Sequence, residues 1–553
     1  MPELSEPTLG LIQALHKPPG HPQPHQDSRQ QRLGWMREIG EAGEVAAVPY
    51  LLPFVLERAF EVRAAATIHQ LMETATEEEV ARLHEGRSHL HTSDPIDTDA
   101  RLRQNWGNLR PEQVSDFDRF GPASVWVLGL TSFHWVGHVR QAAVEGLARL
   151  DELRAVPFLL LRANDWVRQV RQPAQRRLES LLDAGRAEYF AHSLGYLRRL
   201  ARGGRGDHGP FIEKVRAVLV SEPDLAALRQ AAATGARVVR REAFDLAWQR
   251  EDSAITALLA SALEDADVVI RHRAAQRALR ADDPARFLES LRTDPASAVR
   301  KEYVDFVGED PGRDVQLLVP FLVDGHGGIR ADTHFYLTKR GWSGDFVEFY
   351  RGGLEAAQKG AAQKGAAASY LSGLGEVGSA IHLPVIRPYL DAELPRVRRA
   401  AVRALGRLAT HGQAGEVRED LLAALEDPFA SVAKAARDVI VDNRLHVPAS
   451  RLIGLACGAA HRHGLRMATQ LLVRASGKWT AIESLAELAV GEEGEDLEVI
   501  LHQVDWWLRK AQGSFVKPTP GGAASLRRTL EGADAKLGWR RGAILDRLEQ
   551  AGG

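Results

Sequence analysis

The stretch that most constrains this chain is VRRAAVRALGRL, residues 397–408. With about 3.6 residues per helical turn, Val397, Ala401, Leu405 and Leu408 fall at roughly 0, 40, 80 and 20 degrees, which makes one apolar stripe. Arg398, Arg399, Arg403 and Arg407 point the other way. Such a helix cannot bury its stripe alone, and the sequence repeats the pattern: an aliphatic residue, then Arg, a small residue at +4 and an apolar one near +8. Anchors stand at Val62, Val139, Val170, Val239, Ile270, Val299, Ile329, Ala366, Val397 and Val432. From Val139 to Val170 is 31 residues, Val239 to Ile270 is again 31, and then come 29, 30, 37, 31 and 35. A period near thirty fits two helices of about ten to fourteen residues joined by short turns, one helical hairpin. Alanine at +4 in seven of the ten units lets paired helices approach closely.

An acidic residue precedes the Arg by six positions in Asp165 with Arg171, Asp265 with Arg271, Asp294 with Arg300, and Asp324 with Arg330, while Asp391 precedes Arg398 by seven. Here the chain resembles the HEAT-repeat family of α-solenoids, including the phycobilisome-lyase-type variants. The resemblance implies an all-α, right-handed solenoid of stacked hairpins. It also implies an Asp in the turn between helices and an Arg early in the second helix, bonded along the stack as a structural ladder. At Val432 the pattern departs: Asp427 is present but Ala433 replaces the Arg, so the ladder should break there. The 37-residue interval contains AAQKG twice, residues 356–365, and without the extra copy it falls to 32. Five residues would turn a helix face by about 140 degrees, so the copy belongs at a helix end or turn.

A chain of 553 residues exceeds one compact core, and the repeats favour an elongated array. Lys plus Arg is 71 and Asp plus Glu 73, a net charge of −2, so a nucleic acid or an acidic membrane would need a local patch. The single cysteine, Cys457, excludes an internal disulfide and suits a reducing cytosol; its apolar surroundings predict a buried thiol. No run of about eighteen apolar residues and no secretory signal pattern is present, which points to a soluble cytoplasmic protein.

Residues 1–30 contain HKPPGHPQPHQ and read as a flexible Pro/His-rich tail, in which His16, His21 and His25 could hold a metal only weakly. The solenoid is expected over 31–447, with degenerate repeats and a helical cap over 448–553. In the first hairpin Pro49 and Pro53 mark early turns or a kink. HEGRSHLHTSDPIDTD, 84–99, is a polar connection of metal-capable types without a known ligand spacing. FHWVGH places Trp135 where a zinc protease needs Glu, and the aromatics Trp126, Phe133, Trp135, Phe158 and Trp166 read as hairpin core with one or two showing at the surface. GGRGDHG, 203–209, is a loop by its glycines. In SGLGEVGS, Gly373, Gly375 and Gly378 spell GxGxxG, but a helical lead-in makes them a helix stop.

The units over 294–375 carry Tyr303, Thr333 and Tyr370 at the small +4 position, beside Phe335, Tyr336, Trp342, Phe346, Phe349 and Tyr350. Such bulk should splay hairpins and alter curvature, and compensating repacking of the core is favoured over a binding role. The cap mixes Lys478, Trp479, Trp506, Trp507, Arg509, Lys510 and Lys517, as single-strand nucleic-acid sites do, although paired tryptophans more often seal a core.

No catalytic constellation is visible, and no cofactor or metal site is expected. The sequence therefore favours a non-enzymatic scaffold that binds a protein or peptide, with Arg396, Arg399, Arg403, Arg407, Trp342, Tyr336 and Tyr350 as candidate contacts. The alternative is DNA or RNA binding, or the alkyl-base DNA-glycosylase activity that some HEAT-like proteins have. That reading wants Arg396, Arg399, Arg403 and Arg407 to join Arg237, Arg241, Arg273 and Arg277 in one basic stripe. Interspersed acids would favour the scaffold. A chromophore lyase has no supporting residue.

Overall fold

Eight of the ten anchors, Val139, Val170, Val239, Ile270, Val299, Ile329, Val397 and Val432, are at most 5% exposed. The repeat pattern is thus a burial pattern, and the elements follow from it. The computed structural model describes residues 4–16, 25–85, 99–221, 225–250, 254–359, 366–409, 415–511 and 516–552, and among these every regular element is a helix. The helices gather into two compact units, Met1–Ser290 and Leu291–Gly553. Within each unit hairpins stack on their neighbours, the arrangement of an all-α solenoid.

Two anchors depart. Val62 is 72% exposed, because helix Glu61–Glu73 buries Ala64, Ile68 and Leu71 instead, an i, i+4, i+7 face that starts two residues later. Ala366 lies half-buried at the N-cap of helix Ala367–Val377. The second copy of AAQKG lies outside the described residues.

The first unit begins earlier than expected. Residues 6–16 form a helix, Glu6–His16, that buries Thr8, Ile12, Leu15 and His16, one stripe at i, i+4, i+7 and i+8. Thr8 Oγ1 donates to Glu44 at 2.7 Å, and His16 Nε2 lies 2.9 Å from the Tyr50 carbonyl oxygen. The tail is therefore not flexible here, and His16 is a core residue. His21 lies outside the described residues. A second helix, His25–Ala42, spans the expected tail boundary at 30.

Several first helices of hairpins are short, with a proline at the first helical positions: Pro49 in Val48–Leu51, Pro157 in Val156–Arg162 and Pro384 in Leu383–Ile386. Proline is cheap there because the N–H it lacks would have no helical partner. Tight 3₁₀ turns flank them, as Leu52–Leu56 does after Pro49. Val170 and Val239 stand 69 residues apart, about two periods, and between helix Arg168–Asp183 and helix Arg237–Ala247 the elements Ala187–Ala191, Leu194–Ala201, Gly209–Ser221 and Ala226–Thr234 fill the extra one.

In the second unit the anchor helices run side by side: Ala367–Val377 packs on Pro395–Leu408, that on Ala430–Asp442, then Arg462–Ala475, then Gly494–Ala511. The stacking continues past residue 447, and the degenerate repeats and cap expected over 448–553 belong to the same compact unit as the repeats before them. After the Gly494–Ala511 helix come Pro520–Gly532, Asp534–Leu537 and Trp539–Gln550, the last of which packs back on Gly494–Ala511.

Candidate functional site

The Asp–Arg pairs are linked, but not carboxylate to guanidinium within a pair. Arg171 Nη1 donates to the main-chain carbonyl of Asp165 at 2.8 Å, Arg271 to that of Asp265 at 2.9 Å, Arg300 to that of Asp294 at 2.7 Å, and Arg330 to that of Asp324 at 2.6 Å. Arg398 uses Ala392, six residues back, at 2.7 Å, and not Asp391. The aspartate carboxylates face the other way. Asp165 meets Arg140 at 3.0 Å, Asp265 meets Arg240 at 2.8 Å, Asp324 meets Arg300 at 2.7 Å, and Asp427 meets Arg398 at 2.6 Å, each with two nitrogens of the fork. Oδ1 of each of these aspartates also accepts the N–H two residues on, which fixes the turn into the second helix. One aspartate thus ties together its own turn, its own repeat and the repeat before.

Asp165 is the most enclosed of these. It is 2% exposed and also takes Arg162 Nη1 at 2.8 Å; Arg140 and Arg162 are each 1% exposed. Burial works against its ionisation, but the hydrogen bonds from Arg140 and the Val167 N–H, with the charges of Arg162 and Arg140, outweigh it and hold the carboxyl below its ordinary value. Two exposed aromatics find their reason here: Trp166 lies 5.4 Å from the Arg140 guanidinium and Phe429 5.5 Å from that of Arg398, ring face to cation.

Two links differ from the pattern in ways the sequence did not signal. Arg330 meets not a turn aspartate but Glu376, within helix Ala367–Val377 of the next hairpin, at 2.5 and 2.9 Å, and Glu376 also takes Arg407 at 2.9 Å. At Ala433, where the ladder should break, the waiting carbonyl of Asp427 is met by His463 Nε2 at 2.8 Å from a later helix. The break is filled by an imidazole.

Of the candidate contacts, Tyr350 and Tyr336 are core residues and not surface ones. Tyr350 is fully buried, donates to the Leu322 carbonyl at 2.9 Å and meets His334 Nε2 at 2.8 Å. Tyr336 is 8% exposed, with its hydroxyl 3.2 Å from Asp305; burial and the Asp305 charge push that hydroxyl up to about 12. Both rings occupy space left by a glycine: a Cβ at Gly373 would lie 2.1 Å from the Tyr350 ring, and one at Gly308 2.2 Å from Tyr336. The core is repacked around the bulky positions. Gly373 and Gly375 accordingly sit inside helix Ala367–Val377, and only Gly378 stops it. Trp342 is half-buried on Phe346, ring centroids 5.1 Å apart.

Arg396, Arg399, Arg403 and Arg407 share helix Pro395–Leu408, where Arg396, Arg403 and Arg407 are exposed and Arg399 half-buried. Arg237, Arg241, Arg273 and Arg277 belong to the first unit. There Arg241 is neutralised by Asp267 at 2.7 and 2.9 Å, Arg273 pairs with Asp245, and Arg277 donates to the Arg250 carbonyl. In the second unit Lys301 sits between Asp332 at 2.7 Å and Asp305 at 3.1 Å, and burial, which disfavours its charge, is overcome by those bonds so that its pKa is raised. A groove of about 610 Å³ between helices Arg462–Ala475 and Gly494–Ala511 mixes Arg462 and Arg466 with Glu495 and Glu498. Acids are interspersed among the bases on the surface of both units.

At the end of the second unit Trp479 and Trp507 meet edge to face at 5.8 Å and are buried, each indole N–H donating to a main-chain carbonyl, of Val516 and Lys478 respectively. They seal a core. Trp506 stays half-exposed between Arg474 and Lys510. Cys457 is exposed at the end of helix Ala449–Cys457, contrary to expectation. His134 of FHWVGH is buried with both ring nitrogens engaged, by the Trp106 carbonyl and the Val136 N–H. Among the described residues no group of three metal-capable side chains is gathered; 86–98 of the His/Asp run lie outside them.

The fold is that of an α-solenoid built of stacked hairpins. Among solved structures it is similar to importin beta crystallised in an ammonium sulfate condition, 12% identical over 98% of this chain and 86% of that one, with a TM-score of 0.33. Yeast importin-beta (Kap95p) is 13% identical over 97% and 68%, TM-score 0.30, and the Kap95–Nup1 complex 13% identical over 100% and 69%, TM-score 0.29. No protein-family profile and no curated protein matches the chain.

Proposed function

We propose that this chain is a non-enzymatic scaffold that binds a protein or peptide partner on the surface of its helical stack, in the cytoplasm. The observation that carries the reading is the charge pattern: Arg241 with Asp267, Arg273 with Asp245, Lys301 with Asp305 and Asp332, and Arg407 with Glu376 make a mosaic of both signs. A mosaic selects a complementary mosaic, as a folded protein or mixed-charge peptide presents, whereas a phosphate backbone is gripped by a continuous basic track. On helix Pro395–Leu408, Arg399 and Arg403 make no ion pair among the described residues, and are the contacts we assign to acidic groups of the partner.

The experiment is affinity capture from the native cell with the full chain, compared with its Arg399→Glu/Arg403→Glu variant, and titration with duplex and single-stranded DNA at several salt concentrations. A protein retained by the parent and lost by the variant supports the reading. Tight DNA binding that falls steeply with salt, with no protein partner captured, sinks it.

A further inference from the structure

In the first unit the GGRGDHG run does more than turn the chain. Gly203 sits against Asn164 so closely that a Cβ there would be 2.7 Å from its side chain. Asn164 Oδ1 accepts the Arg205 N–H at 3.2 Å and lies 3.3 Å from His208 Nε2. That contact brings the run beside the buried ladder residue Asp165 and along one side of an open cavity of about 250 Å³.

Four arginines line this cavity, Arg162, Arg199, Arg202 and Arg205, with two acidic residues, Glu85 and Asp165. Arg162 and Asp165 are each at least 98% buried and already joined. Arg199 reaches Glu85 at 3.1 Å and lies 3.8 Å from Glu77, whose carboxyl is pushed up by burial and so carries its charge less readily. Arg205 spends its Nη1 on a main-chain carbonyl, that of Asn164 at 3.5 Å. The Arg202 guanidinium makes no hydrogen bond or ion pair among the described residues and is exposed. The cationic residues outnumber the anionic ones around a space large enough for a small molecule. Guanidinium forks bind oxyanions by paired, charge-assisted hydrogen bonds, and Arg199, Arg202 and Arg205 are exposed at the rim where such a group can reach them.

We propose that this cavity binds a small oxyanion, the phosphoryl or carboxylate group of a small molecule, through Arg199, Arg202 and Arg205. The site is independent of the partner surface on helix Pro395–Leu408.

The test is isothermal titration calorimetry of the full chain with pyrophosphate and with succinate, at an ionic strength held constant with sodium chloride. Saturable one-site binding of at least one of them is expected. Arg202→Glu should weaken it by about tenfold or more, since a charge-assisted contact is lost and a like charge gained. Arg205→Ala should weaken it less, and Arg403→Glu, in the other unit, should leave it unchanged. Arg202 is exposed, so its variant is expected to fold, which circular dichroism checks. Stronger binding of pyrophosphate identifies a phosphoryl site and stronger binding of succinate a carboxylate site. The proposal is overturned if neither anion gives more than dilution heat into the millimolar range, or if Arg202→Glu and Arg205→Ala bind as the parent does.

Discussion

A tyrosine fits at position 350 only because the residue it faces has no side chain. Restoring a methyl there, Gly373→Ala, puts a carbon well inside contact distance of a fully buried ring and should cost about 1–3 kcal/mol, the usual range for overpacking. The measurement is a double-mutant cycle with Tyr350→Leu in urea unfolding. Overpacking requires the cost of Gly373→Ala to shrink in the Tyr350→Leu background, and an equal cost in both would assign it to something else. The sequence displayed both halves of this contact, bulk in the central repeats and a GxGxxG run, without saying that they belonged together. Residues 23 positions apart in sequence are matched only by packing, so Tyr350 looked available to a partner. Burial at Val62 failed for a simpler reason, since Val62 and Ala64 both begin acceptable stripes and only the neighbouring helix selects between them.

At the scale of elements, the ladder was the most legible part because it is written in spacing. The six-residue interval between Asp and Arg is the span from a turn carbonyl to the second helix, and it recurs wherever that turn does. The spacing did not show which atoms meet, since carboxylate and carbonyl of one residue are the same letter. Substituting the most enclosed node, Asp165→Ala, strands two buried arginines and should cost about 3–5 kcal/mol, whereas breaking the exposed Arg451–Glu419 pair should cost about 0–1 kcal/mol. Equal effects in chemical denaturation would contradict the ranking. The same node sets a pH response. Asp165, Asp265 and Asp267 are all held below the ordinary carboxyl value of 3.8. A carboxyl depressed in the folded state stabilises fully above its unfolded value, and that contribution is lost as pH falls through the folded one. Stability should therefore hold down to about pH 4 and drop below it, and a flat profile between about pH 5 and pH 2 would remove the ladder's carboxylates from the account. At the filled break, Ala433→Arg should destabilise the protein, because position 433 is buried and the carbonyl it would seek is already met by His463. A gain in melting temperature would show that imidazole to be a poor substitute.

For the whole molecule, coupling between neighbouring repeats means that damage stays local. Hydrogen exchange on Asp165→Ala should show lost protection around helices Gly137–Arg149 and Arg168–Asp183 and none over Pro395–Leu408 or Ala430–Asp442, which belong to the other compact unit. Loss of protection throughout would mean that the chain unfolds as one cooperative body. One connection carries a further implication. Arg330 reaches Glu376 while Tyr350 packs its ring on Gly373, so the two helices that flank the duplicated AAQKG, Phe346–Gln358 and Ala367–Val377, are each held by contacts outside it. Natural length variation, or a deliberately inserted reporter peptide, has there a place where the chain can grow while its two fastened ends keep their register.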